Sequence, residues 1–202
     1  MYVTYFLLAL TILISALAMN DNSFKSKLML NPYDVIHNKK WYRCITHGFI
    51  HADYTHLIFN MIVLFMFGER LEEKLVAEYG LKGHYHFVIL YLTGILFSCL
   101  FSLQKHKDNP GYNSLGASGA TMAVLFGFII LFPTAKLAMF LVPIPIYAYY
   151  YGPIILLIEY LLSKRGGTGI AHDAHIAGAI FGVIFITLLD YNYLIDFFKN
   201  FG

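Results

Sequence analysis

The stretch that decides the fold runs from Leu115 to Phe132 and reads LGASGATMAVLFGFIILF. It contains no charged side chain, and an apolar run of this length predicts a helix that crosses a membrane. Ser118 places a hydroxyl group near the start of that helix. An unpaired polar group in hydrocarbon costs on the order of several kcal/mol, so this hydroxyl requires either a partner or a function.

The composition of the whole chain agrees with a membrane location. Of 202 residues, 58% are hydrophobic and 13% are charged, whereas a soluble domain carries about 25% charged residues. We therefore expect a single domain, residues 1–202, that is integral to a membrane and has the lipid bilayer as a partner. The net charge of +2 is too small and too scattered to indicate a nucleic-acid partner.

Five further apolar segments predict additional spans, and the expected fold class is an all-α polytopic bundle of six transmembrane helices. The predicted spans are approximately residues 2–19, 56–68, 85–103, 115–132, 146–162 and 171–189, with a long first loop at 20–55. An even number of spans places both termini on the same side of the membrane.

A second motif, Ala174-His175-Ile176-Ala177-Gly178, lies in the last predicted span. The fourth and sixth spans run in the same direction, so His175 and Ser118 are expected at similar depth, as a general base and a nucleophile. Small residues recur every four positions on both helices, which permits close packing. They are Gly119, Ala123 and Gly127 on one helix and Ala174, Gly178 and Gly182 on the other. Taken alone, either motif favours a role in helix packing over a catalytic one.

The second predicted span supplies two more polar side chains. His56 and Asn60 are four residues apart and share one helix face. An amide side chain inside a span must be paired, and it is a good donor to a developing oxyanion. Gly116 and Gly119 allow the backbone to bend beside Ser118, whose own N–H lies at a helix N-terminus. A structural hydrogen bond between helices remains the alternative for Asn60.

The sequence offers no evident carboxylate to orient His175. Asp173 is two residues away and points elsewhere on a helix, while Glu159 and Asp190, near span ends, are expected at the interface. The prediction is therefore a Ser–His dyad without a third member.

Taken in order, these motifs resemble the rhomboid family of intramembrane serine proteases, over nearly the whole chain. The matching pieces are His47-Gly48-Phe49-Ile50-His51, His56-Leu57-Ile58-Phe59-Asn60, Gly68-Glu69-Arg70-Leu71-Glu72, Gly116-Ala117-Ser118-Gly119, and Ala174-His175-Ile176-Ala177-Gly178 with Gly182. The resemblance implies an endopeptidase that cleaves single-span transmembrane proteins without a metal or cofactor.

The resemblance also implies residue roles. Ser118 is the nucleophile and His175 the base, and the oxyanion hole consists of His56, Asn60 and the Ser118 backbone N–H. His51 corresponds to a buried histidine at the end of the first loop, and Glu72 to a structural carboxylate on the cytoplasmic side. Where some members carry a tyrosine beside the base, this chain has Met122, so the way His175 is held is left open.

The location implied by the resemblance is the plasma (inner) membrane, with cytoplasmic termini and a site that opens to the outer face. The distribution of lysine and arginine opposes this orientation, because only five of the 14 fall on the expected cytoplasmic side.

Two other functions are weighed against the protease. The first is an inactive relative that only binds transmembrane helices, although such relatives are expected to lack the serine or the histidine. The second is a membrane metalloenzyme built on His47, His51 and His56, which lacks a second histidine box.

Overall fold

The computed structural model of the protein describes residues 3–139, 142–165 and 171–200, so Tyr2, with which the first predicted span begins, lies outside the described residues. Helices account for most of the described chain. They are α1 (Val3–Asn20), α2 (Asn22–Leu28), α3 (Pro32–His37), α4 (Arg43–Thr46), α5 (Tyr54–Val63), α6 (Glu69–Tyr79), α7 (Lys82–His106), α8 (Ser118–Leu131), α9 (Ala148–Arg165), α10 (His172–Leu189) and α11 (Asn192–Lys199). A 3₁₀ turn, His47–Phe49, follows α4.

Three of these helices, α1, α7 and α10, are each long and apolar enough to cross a bilayer. A bent pair, Arg43–Phe49 with Tyr54–Tyr79, adds a fourth candidate, and the shorter α8 is also apolar. The chain is thus an integral membrane protein with a helical bundle, and six spans remain a prediction. The helix predicted from residue 115 begins at Ser118, so the serine opens the helix.

The second predicted span, 56–68, is longer than expected. α5 begins at Tyr54 and continues through a π-helical turn, Leu64–Gly68, directly into α6, beyond the predicted end at residue 68. The reason is that α6 is amphipathic and buries Leu71, Glu72 and Leu75 on one face.

The prediction of an all-α fold is wrong in one detail. Two antiparallel strands, β1 (Lys136–Met139) and β2 (Val142–Tyr147), precede α9. The helix therefore begins at Ala148, two residues after the start of the fifth predicted span, 146–162, because Ile146 and Tyr147 belong to β2. Alternating proline and β-branched residues in β2 favour extended backbone over helix.

The first loop is fastened by the buried Arg43. Its Nη1 donates to the carbonyl oxygens of Ser26 (2.9 Å) and Met29 (2.6 Å), and its Nη2 lies 3.1 Å from Oδ2 of Asp34. One guanidinium thus joins three parts of the loop to one another.

The centre of the bundle is α8, in which every residue from Gly119 to Ile130 is buried. A Cβ at Gly178 of α10 would overlap the carbonyl oxygen of Gly119, and one at Gly182 would overlap that of Ala123. The two backbones are therefore in direct contact. The stripes of small residues predicted this packing, because only glycine permits so close an approach.

Glu72 ties α1 to the end of the bundle where α1 begins. Its fully buried carboxylate accepts hydrogen bonds from Val3 N (2.7 Å), Thr4 N (2.8 Å) and Thr4 Oγ1 (2.7 Å), and His84 Nδ1 lies 2.5 Å away. The free N–H groups and the positive dipole of a helix N-terminus favour an anion at this position. Glu72 is thus in the structural position that the resemblance implied.

Candidate active site

Ser118 follows a turn that only glycine can make. Gly116 has φ +127°, a conformation that L side chains rarely adopt, and it is buried under the ring of His56. A Cβ at Gly116 would lie 2.6 Å from Cε1 of that ring. The turn therefore brings the start of α8 directly against His56, one of the predicted oxyanion donors.

His51 braces the same turn. Its Nε2 accepts a hydrogen bond from the N–H of Ala117 (3.2 Å), and its Nδ1 lies 2.9 Å from Oγ of Ser15, which donates to the carbonyl of Phe49 (2.9 Å). The Nδ1 nitrogen must then carry the proton. His51 thus links α1 to the residue before Ser118, and it is fully buried, as the resemblance implied.

Asn60 is buried one turn below His56 on α5, as the four-residue spacing predicted. Its Nδ2 donates to the carbonyl of His56 (2.8 Å), which leaves one amide hydrogen for another acceptor. The hydroxyl of Thr121 lies 3.1 Å from both Asn60 Oδ1 and the carbonyl oxygen of Ser118. Sequence reasoning missed Thr121, although its position three residues after Ser118 places it on the same helix face.

The α8–α10 contact sets the distance between Ser118 and His175. The contacts advance by four residues on each helix, from Gly178 against Gly119 to Gly182 against Ala123, so the helices are parallel and in register. His175 consequently lies about two residues, or ~3 Å, nearer the helix start than Ser118. Within the described part of the chain no hydrogen bond joins the two side chains, and catalytic hydrogen bonds commonly tighten only when substrate is bound.

A carboxylate does lie against His175, contrary to the prediction from sequence. Oε2 of Glu159 on α9 is 3.0 Å from Nδ1 of His175 and 2.6 Å from Nδ1 of His172. The Nδ1 of His175 makes no regular hydrogen bond in the described structure, so the 3.0 Å approach is a close contact between the ring and the carboxylate. The side chain of Glu159 is turned into the protein and is only 15% exposed. Asp173 points away, as expected, to Lys105 and Ser163.

Met122, which occupies the position of the family's tyrosine, is buried in α8. The prediction left open what holds His175, and the described contacts of its ring are instead with Glu159 and, edge to face, with His172. The two histidine rings have centroids 5.9 Å apart and an interplanar angle of 80°.

The histidines singled out for a metal site do not suit one. Both ring nitrogens of His51 are engaged, by Ser15 and Ala117, so His51 is not free to bind a metal. In the described residues, metal-ligand atoms converge instead at Glu159, His172 and His175, within 4.8 Å of one another. That group contains the proposed base, so its chemistry is considered below.

Comparisons with known proteins agree with this geometry. The profile of the Rhomboid domain matches residues 38–192. The chain is 29% identical over 181 residues to "RHOMBOID-like protein 12, mitochondrial" of Arabidopsis thaliana, covering 80% of this chain and 51% of that protein. It is 31% identical over 173 residues to "Rhomboid protein 1, mitochondrial" of Saccharomyces cerevisiae, covering 80% of this chain and 45% of the relative. This chain thus spans about half the length of the relatives it matches.

Proposed function

The chain belongs to the rhomboid family, and on that premise we propose that it is an intramembrane serine endopeptidase with Ser118 as nucleophile and His175 as general base. The observation that carries the proposal is the backbone contact of α8 with α10. It holds a serine and a histidine at the same end of two parallel helices, beside the His56 ring that covers Gly116.

The chemistry follows from these positions. His175 takes the proton of Ser118 Oγ, and Oγ adds to the scissile carbonyl carbon to give a tetrahedral intermediate. The negative oxygen is stabilised by the N–H of Ser118, the second amide hydrogen of Asn60 and the His56 ring. When the C–N bond breaks, His175 returns the proton to the leaving amine. A water molecule, activated by His175 in the same way, then releases the acyl group from Ser118.

The substrates we propose are single-span transmembrane proteins whose helix unwinds near the site, because a protease requires an extended scissile bond. Entry would be lateral, past α5 or α9. Pro153 has no backbone N–H and so interrupts the hydrogen-bond ladder of α9, and the neighbouring Gly152 lowers helix propensity, which together support α9 as the more deformable side.

Which membrane contains the protein, and in which orientation, is a question separate from its activity. The names of the two relatives place those proteins in mitochondria, whereas the expectation from sequence is the plasma membrane with both termini cytoplasmic. A reporter fused after Gly202, expressed in a bacterial host, tests the orientation: a cytoplasmic reading supports the expectation, and an external one supports the lysine and arginine count.

The test of activity is cleavage of a single-span reporter substrate in liposomes. Ser118→Ala and His175→Ala are each expected to lower the rate by at least about 10³-fold, since nucleophile and base act as a unit. Ser26→Ala, which alters an exposed serine of the first loop, is the matched control and should cleave at the wild-type rate.

A fluorophosphonate probe gives an independent readout, because it should label the wild type and Ser26→Ala but not Ser118→Ala. Cleavage that persists in Ser118→Ala and stops with a chelator would support a metalloenzyme instead. Binding of the reporter helix without cleavage or labelling in any preparation would identify an inactive helix-binding relative.

A further inference from the structure

Glu159 occupies a position where a carboxylate is costly. It lies in α9 among apolar residues that are exposed on the helix surface, such as Leu157 and Leu161, yet its own side chain is turned inward and is 15% exposed. A carboxylate in a membrane helix is stable only when it is paired. Its partners in the described structure are His172 and His175, both in the first turn of α10.

A single oxygen serves both histidines. Oε2 of Glu159 lies 2.6 Å from Nδ1 of His172 and 3.0 Å from Nδ1 of His175. An ionised carboxylate only accepts hydrogen bonds, so it favours the tautomer of each ring that carries its proton on Nδ1. In His175 that tautomer leaves Nε2 with a free lone pair, which is what a base toward Ser118 requires.

His172 explains why the carboxylate stays in place. It is three residues before His175 and shares its helix face, and its side chain is 5% exposed. The short contact to His172 fixes Oε2, and the same oxygen lies 3.0 Å from Nδ1 of His175, which has no other hydrogen-bond partner in the described structure. The network therefore restricts the orientation of His175 without using Met122.

We propose that Glu159 is a positioning residue that holds His175 through Nδ1 in the orientation and tautomer needed to deprotonate Ser118. The inference rests on the proposed function. During the reaction the proton moves from Ser118 Oγ to His175 Nε2 and later to the leaving amine, while the carboxylate stays ionised and stabilises the imidazolium.

The same three side chains could instead hold a zinc ion. Ligands about 2.0–2.1 Å from a tetrahedral zinc lie roughly 3.3 Å from one another. The 2.6 Å separation between Glu159 and His172 is a hydrogen-bond distance, which favours the network.

The kinetic test compares Glu159→Gln, Glu159→Asp and the control Glu73→Gln, which alters an exposed glutamate of α6. For Glu159→Gln we expect kcat to fall by about 10–10³-fold with KM within twofold, and for Glu159→Asp a partial recovery. Glu73→Gln should match the wild type. Equal loss of kcat in Gln and Asp variants, or a change confined to KM, would overturn the proposal.

The pH profile provides a readout that a merely structural role would not change. Because a carboxylate favours the protonated imidazole, its removal should move the acid limb of kcat/KM to lower pH. Among the described residues, the other histidines near His175 are His172 on its own helix, which also loses its contact with Oε2 in Glu159→Gln, and His56 on α5, which does not contact Glu159. An unmoved acid limb would contradict the proposed role.

A measurement on inactive protein separates this proposal from the proposed function. In ¹⁵N-histidine NMR spectra of Ser118→Ala, with His175 assigned by its loss in the His175→Ala double variant, we expect the proton on Nδ1. Adding Glu159→Ala should shift His175 toward the Nε2–H tautomer. Nε2–H in the presence of Glu159 overturns the positioning role, whereas Nδ1–H in a protein that never cleaves refutes only the protease. If the purified protein contained one equivalent of zinc and His172→Ala lost it, the positioning role of Glu159 would also be overturned.

Discussion

The two ends of the bundle each contain a glutamate paired with histidine, and the pairs differ in what surrounds the carboxylate. Glu72, at the end where α1 begins, is fully buried and accepts from two backbone N–H groups and a threonine hydroxyl as well as facing His84. Glu159, near the start of α10, is 15% exposed and faces two imidazoles.

The difference teaches how the same residue types serve structure or chemistry. Backbone donors cannot leave and cannot change their protonation, so the N–H groups of Val3 and Thr4 hold the Glu72 carboxylate in place whatever the state of His84. Imidazoles as a class can gain and lose protons near neutral pH, so the Glu159 network can change its charge in the reaction that we propose. The helix formed by α5 and α6 connects the ends, and His56 and Glu72 are about 24 Å apart along it.

The largest expected effect is on stability, and it tests the end of the bundle that contains Glu72. Glu72→Gln places an NH₂ group among donors that need an acceptor, and we expect the free energy of unfolding to fall by about 3–5 kcal/mol. Chaotrope unfolding in detergent micelles measures it, with Glu73→Gln within about 0.5 kcal/mol of wild type as the control. If Glu159→Gln destabilised the protein as much as Glu72→Gln, the contrast between the two ends would be wrong.

The second effect is expected at the end of the bundle that contains the candidate active site. It should lower the rate of cleavage without changing the free energy of unfolding. Asn60→Ala removes a proposed oxyanion donor, and we expect kcat to fall by about 10²–10³-fold. Thr121→Val keeps the amide but removes the hydroxyl beside it, and its loss should be under about tenfold because Thr121 acts only through its neighbours. A larger loss in Thr121→Val than in Asn60→Ala would assign the effect to packing of α8 instead.

A smaller effect tests the contact that connects the centre of the bundle to the site. Gly182→Ala forces a methyl group into the Ala123 carbonyl, and overpacking of this kind costs about 1–3 kcal/mol. Gly111→Ala is the control, because its Cβ would lie 3.5 Å from Asn109 Oδ1 in an exposed turn. An unchanged unfolding midpoint for Gly182→Ala would show that α8 and α10 can separate without cost.

The smallest effect lies in the first loop. A hydrogen bond from Asn38, together with the charges of Lys40 and Arg43, holds the pKa of Asp34 below its usual value. A lowered pKa stabilises the fold above the unfolded value of about 3.9, and the gain disappears as the pH falls through the folded value. Asp34→Asn should therefore cost less than about 1 kcal/mol at pH 7, and the cost should shrink as the pH falls through the pKa of Asp34 in the folded protein. A cost that persists at low pH would show that the effect is not electrostatic.

Sequence reasoning located the candidate residues where the signal is local. Ser118, His175, His56 and Asn60 lie in short motifs, and the structure places Gly116 against His56 and Gly178 against Gly119. The close contact of α8 and α10 was predictable, because small residues every four positions have one physical use inside a membrane.

The parts that were missed depend on how helices are rotated. α9 is apolar on most sides, so its sequence does not tell which face points inward, and Glu159 was assigned to the interface. The same limit applies to Ser15, which reaches His51 from α1. The strand pair before α9 was missed because a short apolar run fits a strand or a helix equally well.

The sequence by itself thus determined the apolar helices, the small-residue contact between α8 and α10, and which serine and histidine are the candidates for nucleophile and base. Those features follow from hydropathy and residue spacing within single segments. Only the tertiary structure decided what surrounds His175. The approach of Glu159 and His172 depends on the packing of α9 against α10, and a lipid-facing helix carries little periodicity from which that packing could be derived.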